Sequence, residues 1–332
     1  MTKKKDKYKN VPLKDQIKPI FKERFLEMLG NEEEYIKFEK CILTPQKKSF
    51  RINTIKEKNP GELIESLKNR GLEIEKIKWI DNAYFLEFDK ERRNDLGNLY
   101  EHFLGKIYVQ EATSMLPPLL LEIPEKINEN FKILDMAASP GSKTTQIGEK
   151  MKNCGTLIAN ELDWKRLGPL QINLERSGLT NIVITNKDGK NIKGEKIYDR
   201  ILLDAPCSGS GVIRKSPKTI KTYNPKKLKG MQNLQLDLFQ RSFELLKIGG
   251  IMTYSTCSLD PEENEFVIMK FLEKNPNAIL EKAEIPNLIL NNKLTKFFNE
   301  KISKEITEKT IRVWPQDNDT NGFYIAKIRK NK

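Results

Sequence analysis

Apolar positions follow two different rhythms along the chain. In "LKDQIKPIFKERFLEML" (residues 13–29) they recur mostly at helical spacing, which predicts one amphipathic helix, and a second helical segment is expected around 32–42. "SFRINTIK" (49–56) alternates as a strand, and "NPGELIESLKNRG" (59–71) reads as a helix with Pro near its start and Gly at its end. Two further strands are expected near 72–79 and 83–88, where Trp79 reads as a strand-end aromatic packed in a core. These elements form a small α/β accessory unit. The polar, unpatterned run "DKERRNDLGN" (89–98) reads as a linker, so the expected domains are 1–98 and 99–332.

From residue 106 onward, short apolar runs alternate with helical stretches, the pattern of a parallel sheet flanked by helices. The strands expected are "FKILDM" (131–136), "GTLIANE" (155–161), "NIVITN" (181–186), "YDRILLD" (198–204) and "GGIMTYS" (249–255). "TIRVWP" and "GFYIAKIR" read as a closing strand pair. No internal repeat is visible. In an open sheet of this class, ligands sit at the carboxyl ends of the strands, and most of the unusual residues of this chain fall there.

The first strand ends in "DMAASPGSKTTQIGEKM" (135–151), a turn of small residues leading into a helix, where backbone can approach a ligand and unpaired amides are available. A phosphate loop would need glycines at 137 and 142, where the chain has Ala137 and Ser142, and G-x-G-x-x-G is absent here as well. Nucleotide hydrolysis and nicotinamide chemistry are therefore disfavoured. Glu161 ends the second strand, where a carboxylate can accept from ribose hydroxyls, and Asp188 in "NKDG" follows the third, suited to an adenine amine. With Asp204 on the fourth, this ordered set predicts an adenosine cofactor that lacks phosphates, and S-adenosylmethionine fits that description.

Two of the four cysteines share an unusual setting: Cys207 in "LLDAPCSGSG" and Cys257 in "YSTCSLDPEENE" each follow a strand. In a parallel sheet both would face one cleft beside the cofactor. A thiolate is a strong nucleophile, and beside a methyl donor its use is to activate an unreactive carbon. Addition at carbon 6 of cytosine breaks the aromaticity and leaves carbon 5 able to take a methyl group. Charge gathers on the N3 and N4 edge during that addition, so Asp204, three residues before Cys207, is the candidate to stabilise it. Cys41 and Cys154 read as core thiols.

Composition narrows the partner. Lys and Arg outnumber Asp and Glu by 59 to 46, for a net charge of +13, which favours a polyanion, and nucleic acid is the expected one. The basic opening at residues 1–10 reads as a nonspecific electrostatic arm. No apolar leader follows it and no run approaches about 20 apolar residues, so a cytoplasmic protein without membrane contact is expected. The cysteines lack C-x-x-C spacing, so no metal site is expected and the thiols stay reduced. His102 is the single histidine, and no nucleophile motif points to it as part of a triad.

The residues resemble the RNA cytosine-C5 methyltransferases of the Nol/Nop/Sun group. The likeness runs through "RINTIK" (51–56), "GKIYVQEATSMLPPLLL" (105–121), "DMAASPGSKTTQI", "LLDAPCSGSG", "NLQLDLFQRSFELLKIGG" (233–250), "YSTCSLDPEENE" and "GFYIAKI" (322–328). It implies a Rossmann-like, seven-stranded, S-adenosylmethionine-dependent methyltransferase domain with its last strand antiparallel, preceded by a small RNA-contacting α/β domain. It implies Cys257 as the nucleophile and Cys207 as the residue that resolves the covalent product, with Asp204 on the cytosine edge and Lys143 near the target base. Ala137, Ala138, Ser139, Pro140, Gly141, Ser142 and Lys143, with Glu161, Arg166, Asp188 and Asp204, would hold the cofactor. The family turn is often "AAPGGK", so Ser139 and Ser142 are departures, small enough to keep the turn tight. Its closing motif often carries histidine, but "RVWPQDNDTNGF" does not, so removal of the carbon 5 proton must rely on water or another group.

Transfer RNA is the expected substrate because no further C-terminal RNA-binding domain is present, with ribosomal RNA close behind, and the cytosine must be unpaired or flipped. A DNA cytosine methyltransferase would instead take Cys207 as nucleophile, and a noncatalytic RNA scaffold would not need both cysteines with Asp204. A zinc deaminase fails for want of ligands. A monomer is the default expectation.

Overall fold

The computed structural model describes residues 12–87, 96–291 and 294–332. The basic arm at residues 1–10 and most of the run expected as a linker lie outside the described residues. The helix expected over 13–29 divides at Pro19: a single 3-10 turn occupies Lys14–Gln16, and α1 spans Pro19–Leu29. Proline disfavours helical backbone in the residue before it, and Lys18 is extended at ψ 145°. Gly30, at φ 82°, ends α1, and Asn31 caps α2 (Glu32–Ile42) by accepting from the Glu34 amide.

Next come β1 (Lys48–Ile52), α3 (Pro60–Asn69), β2 (Glu73–Lys76), β3 (Ala83–Glu87), α4 (Tyr100–Phe103) and β4 (Ile107–Val109). The four strands make an antiparallel sheet in the order β2-β3-β1-β4. This sheet crosses the expected boundary at residue 98, because β4 pairs with β1 through Phe50 and Val109. Periodicity cannot report a partner for so short a strand. The first two helices also depart from expectation. α1 and α2 join the core of the larger unit: Phe21 and Phe25 stack at 4.0 Å, Phe21 meets Tyr223 edge-on, and Phe38 meets Trp314 at 5.9 Å.

The larger unit runs β5 (Lys132–Asp135), α5 (Ser142–Met151), β6 (Thr156–Asn160), α6 (Leu167–Arg176), β7 (Ile182–Thr185), β8 (Tyr198–Asp204), α7 (Lys218–Thr222), α8 (Leu228–Leu245), β9 (Leu246–Thr256) and α9 (Glu265–Lys274). It closes with β10 (Ala278–Glu281), a hairpin of β11 (Lys296–Phe297) and β12 (Glu300–Lys301), α10 (Lys304–Lys309), β13 (Ile311–Val313), α11 (Pro315–Asn318) and β14 (Phe323–Lys330). The sheet order is β10-β14-β9-β8-β5-β6-β7, with β13 added against β14, making eight strands where seven are expected. β14 is antiparallel to β9, and β5 to β9 are mutually parallel. Ile201, Leu202 and Leu203 on β8 are wholly buried, as expected for a sheet covered on both faces. β10 escaped the sequence reading because it buries only Leu280.

β5 lies between β6 and β8, so successive crossovers leave it in opposite directions and a crevice opens at the carboxyl ends. No helix of the described residues is long and apolar enough to cross a membrane. Phe25 is fully buried between Phe21 and Phe38. Replacing it with alanine is expected to lower stability by about 3–5 kcal/mol. Urea unfolding checks this, with the midpoint falling at unchanged slope; a shift within error would mean α1 is not docked on this core.

Candidate active site

The strand ends surround a cavity of about 340 Å³. Ala137, Ala138, Ser139 and Pro140 form one wall, and Asp135, Lys143, Asp204 and Cys257 reach it from β5, α5, β8 and β9. The Ser139-Pro140 peptide is cis, and Gly141 follows at φ 102°, where a Cβ would also come within 3.1 Å of Leu170. That turn starts α5 so that Lys143 leaves its first turn into the cleft. Lys143 is only 7% exposed, and its Nζ donates to Asp204 Oδ2 at 2.7 Å and to Ser114 Oγ at 2.9 Å. Ser255, opposite Asp204 in the β8/β9 register, donates to Asp204 Oδ1 at 2.8 Å. Both carboxylate oxygens are thus oriented from fixed positions.

β8 and β9 are parallel neighbours, so the residues that follow them emerge together. Cys207 Sγ and Cys257 Sγ are 3.2 Å apart and both are free thiols. The glycines of "PCSGSG" allow this approach. Gly211 donates its amide to the Cys257 carbonyl at 2.9 Å, and a Cβ on it would lie 2.4 Å from the Gly322 carbonyl oxygen. The hydrogen bond with Cys257 and burial push the Cys207 thiol well above its ordinary value. Either sulfur can donate across the pair. Cys257 lines the cavity; Cys207 is outside that lining.

The segment after Cys257 is acidic, but most of its acids are buried and each has a partner. Glu263 accepts from the Ser208 amide at 2.8 Å and from the Ser208 hydroxyl at 2.5 Å, which ties the two cysteine loops together. Asn264 Oδ1 accepts from Thr256 Oγ1 at 2.6 Å, and its Nδ2 donates to the Ser258 carbonyl. Arg24 of α1 donates to Asp260 at 2.9 Å and to Glu262 at 2.7 Å. Arg312, on β13, forms a fully buried pair with Glu265 and donates to the Leu259 carbonyl at 2.7 Å. Arg312 opens the closing motif that lacks a histidine, so here that motif supports the Cys257 loop.

The remaining residues singled out by sequence are spread around this core. Glu161 is 4% exposed, and its oxygens accept from the Asp163 amide at 2.9 Å and the Ser139 amide at 3.3 Å, with Arg166 at 3.4 Å. Arg166 also donates to the Ser139 carbonyl at 2.6 Å, so both residues brace the turn that walls the cavity. Asp188 accepts from the Lys190 amide at 3.1 Å and caps the turn Gly189–Asn191. Gly141, Glu161, Arg166 and Asp188 do not line the cavity. Cys41 and Cys154, expected in a core, are only half-buried, because both stand at element ends.

Sequence reasoning did not select Ser114, Asp135, Phe323 or Glu263. Asp135 was within reach of it, since it ends the first strand as Asp204 ends the fourth. It is 1% exposed, with Oδ2 accepting from Thr144 Oγ1 at 2.7 Å and Oδ1 without a hydrogen bond. A buried carboxyl oxygen without a partner, beside a turn of small residues, suits a ligand that brings its own hydrogen-bond donors.

Residues 122–329 match the family described as 16S rRNA methyltransferase RsmB/F, and residues 17–112 match the N-terminal domain of 16S rRNA methyltransferase RsmF. The chain is 41% identical over 324 residues to a tRNA (cytosine(49)-C(5))-methyltransferase of Pyrococcus abyssi, covering 96% of this chain and 98% of that one. It is 38% identical to the ribosomal RNA small subunit methyltransferase F of Shewanella piezotolerans, covering 90% of this chain but 60% of that one. A solved methyltransferase homologue from Pyrococcus horikoshii aligns with a TM-score of 0.79 at 33% identity, covering 96% of this chain and 98% of that one.

Burial raises the Asp135 carboxyl from 3.8 to about 7, the bond from Thr144 only partly opposing it. A carboxyl raised on folding stabilises below its unfolded value, and that stability is lost as pH climbs to the folded value. The unfolding free energy of the wild type is therefore expected to fall relative to Asp135→Asn between about pH 4 and pH 7. Parallel urea titrations check the sign; a wild type that gains on the variant over that range would contradict it.

Proposed function

The chain belongs to the 16S rRNA methyltransferase RsmB/F family, within the Nol/Nop/Sun group of RNA cytosine-C5 methyltransferases, and from that membership we propose that it methylates carbon 5 of a cytosine in transfer RNA, with S-adenosylmethionine as donor. The observation that carries the reading is the thiol pair, 3.2 Å apart beside a carboxylate that Lys143 and Ser255 hold in place. The donor would lie against Ala137 to Lys143 and Asp135, with Glu161 and Arg166 bracing that wall. When bound, it supplies an electrophilic methyl group.

Cys257 is the nucleophile. Its thiolate forms a bond to carbon 6 of a cytosine held out of its stack, and the displaced electron pair makes carbon 5 nucleophilic. Asp204 accepts from the N4 amine and orients the base, and the Lys143 ammonium, 2.7 Å from that carboxylate, offsets the negative charge that gathers on N3. After methylation, carbon 5 carries one proton too many. A solvent water takes it, the pair left behind restores the ring, and the bond from carbon 6 to sulfur breaks. Cys207, whose sulfur lies 3.2 Å away, is placed to donate a hydrogen bond to the departing Cys257 sulfur.

Transfer RNA is favoured over ribosomal RNA by the extent of the match: 98% of the tRNA-modifying relative is covered, against 60% of the rRNA-modifying one. In labelled-donor assays, wild type is expected to give 5-methylcytosine in tRNA transcripts and little in small-subunit rRNA; the opposite ranking would move the substrate to rRNA.

Cys257→Ala is expected to reduce transfer below detection and to form no adduct. Cys207→Ala is expected to attack and methylate but to remain on RNA as a complex that survives a denaturing gel. A covalent band with Cys257→Ala instead would assign the attack to Cys207.

A further inference from the structure

Beside the catalytic cavity lies a second one of about 550 Å³ that shares Val109, Gln110, Glu111 and Lys215 with it. Its lining includes the loop ahead of β1, which carries Gln46 and Lys47, and Arg214 and Lys215 at the end of the Cys207 loop, where Arg214 donates to the Pro45 carbonyl at 2.9 Å. The two cavities thus meet where the accessory sheet faces the catalytic domain.

The charges at this junction are not equally available. Arg214 is 7% exposed and paired with Asp319 at 2.6 Å, and Lys47 is paired with Glu87 at 3.0 Å. Glu111 accepts from Thr113 Oγ1, the Ser114 amide and the Asn321 amide. Lys215 is exposed, and its ammonium makes no hydrogen bond or ion pair with any described residue. Gln46 is half-buried, and its side-chain amide likewise has no partner among the described residues. An uncommitted cation at the shared mouth suits a phosphate. An uncommitted amide inside suits a group with donor and acceptor side by side, as a base edge has.

We propose that the second cavity is a subsite for the nucleotide adjoining the target cytosine, with Lys215 on the phosphate that links the two nucleotides and Gln46 on the edge of the neighbouring base. This rests on the RNA reading above. A cytosine reaching Cys257 carries its neighbour one phosphate away, and Lys215, which borders both cavities, stands where that phosphate must pass. The subsite makes the enzyme read sequence beside its target.

The test uses the full chain and RNA substrates in which the two nucleotides flanking the target are randomised. Wild type should prefer particular flanking bases, and Gln46→Ala should flatten that preference. Lys215→Ala should raise KM for RNA about tenfold, with a smaller change in kcat. It should also reduce the salt dependence of RNA binding by about one charge, and Lys215→Arg should restore both. S-adenosylmethionine affinity, read by calorimetry, should match wild type in all variants. An unchanged KM and salt slope in Lys215→Ala, or an unchanged flanking preference in Gln46→Ala, removes the subsite while leaving the methyltransferase reading intact. A wild type that methylates no RNA overturns the substrate reading and the subsite with it.

Discussion

Glu263 is wholly buried, and the position of the Cys207 and Cys257 thiols follows from how its carboxylate is satisfied. Burial pushes its carboxyl upward, and bonds from Ser208 oppose that shift. Leaving such a group unpaired would cost about 3–5 kcal/mol. Its partners are the Ser208 amide and hydroxyl and, at 3.1 Å, Gln235 of α8. Ser208 is the residue after Cys207, so satisfying Glu263 fixes the Cys207 loop against the loop that carries Cys257. Tyr254, on β9 just ahead of Cys257, donates to the Glu263 carbonyl at 2.6 Å and closes the circuit. The thiols meet at 3.2 Å as a consequence of this polar clamp.

The same logic extends outward on either side of Glu263. Asp260 is held by Arg24 and by Tyr223 at 2.6 Å, and Glu265 by Arg312. Arg24 belongs to an N-terminal helix and Arg312 to a C-terminal strand, so both ends of the chain are recruited to stiffen one short segment. Paired, buried ions of this kind add little net stability, but losing one partner leaves an uncompensated charge in the core. They restrict the conformations open to the loop, a restriction that the proposed attack of Cys257 on carbon 6 would need.

The parallel strands of the larger unit were legible because each is a short apolar run closed by a polar residue, and the thiols stood out for following two of them. What the pattern could not give was partnership. The spacing in α1 marks a buried face, but not that the face packs on Tyr223, which is far along the chain. "DPEENE" shows only an acidic stretch, because Arg24 lies 236 residues from Asp260 and no local signal links them. Glu161 and Asp188 stood out at strand ends by position, and Arg166 only through the family likeness, and the side chains of all three brace turns and do not line the cavity. Strand position follows from periodicity, whereas side-chain direction follows from packing in three dimensions.

The net charge of +13 and the chemistry of the cleft place opposite demands on the protein. Distributed surface cations attract an RNA backbone and raise encounter rates, an effect screened by salt beyond about 10 Å. A buried cation left without a counter-charge would instead repel a cationic methyl donor in the cleft. Lys143 avoids this by standing in a compensated pair with Asp204, while Ser114 takes a second of its protons. The pair carries no net charge, so in the proposed reaction it would orient the base without opposing the approach of a cationic methyl donor. Attraction is therefore left to the rim, where Lys215 stands uncommitted, and polarity without excess charge is kept for the interior.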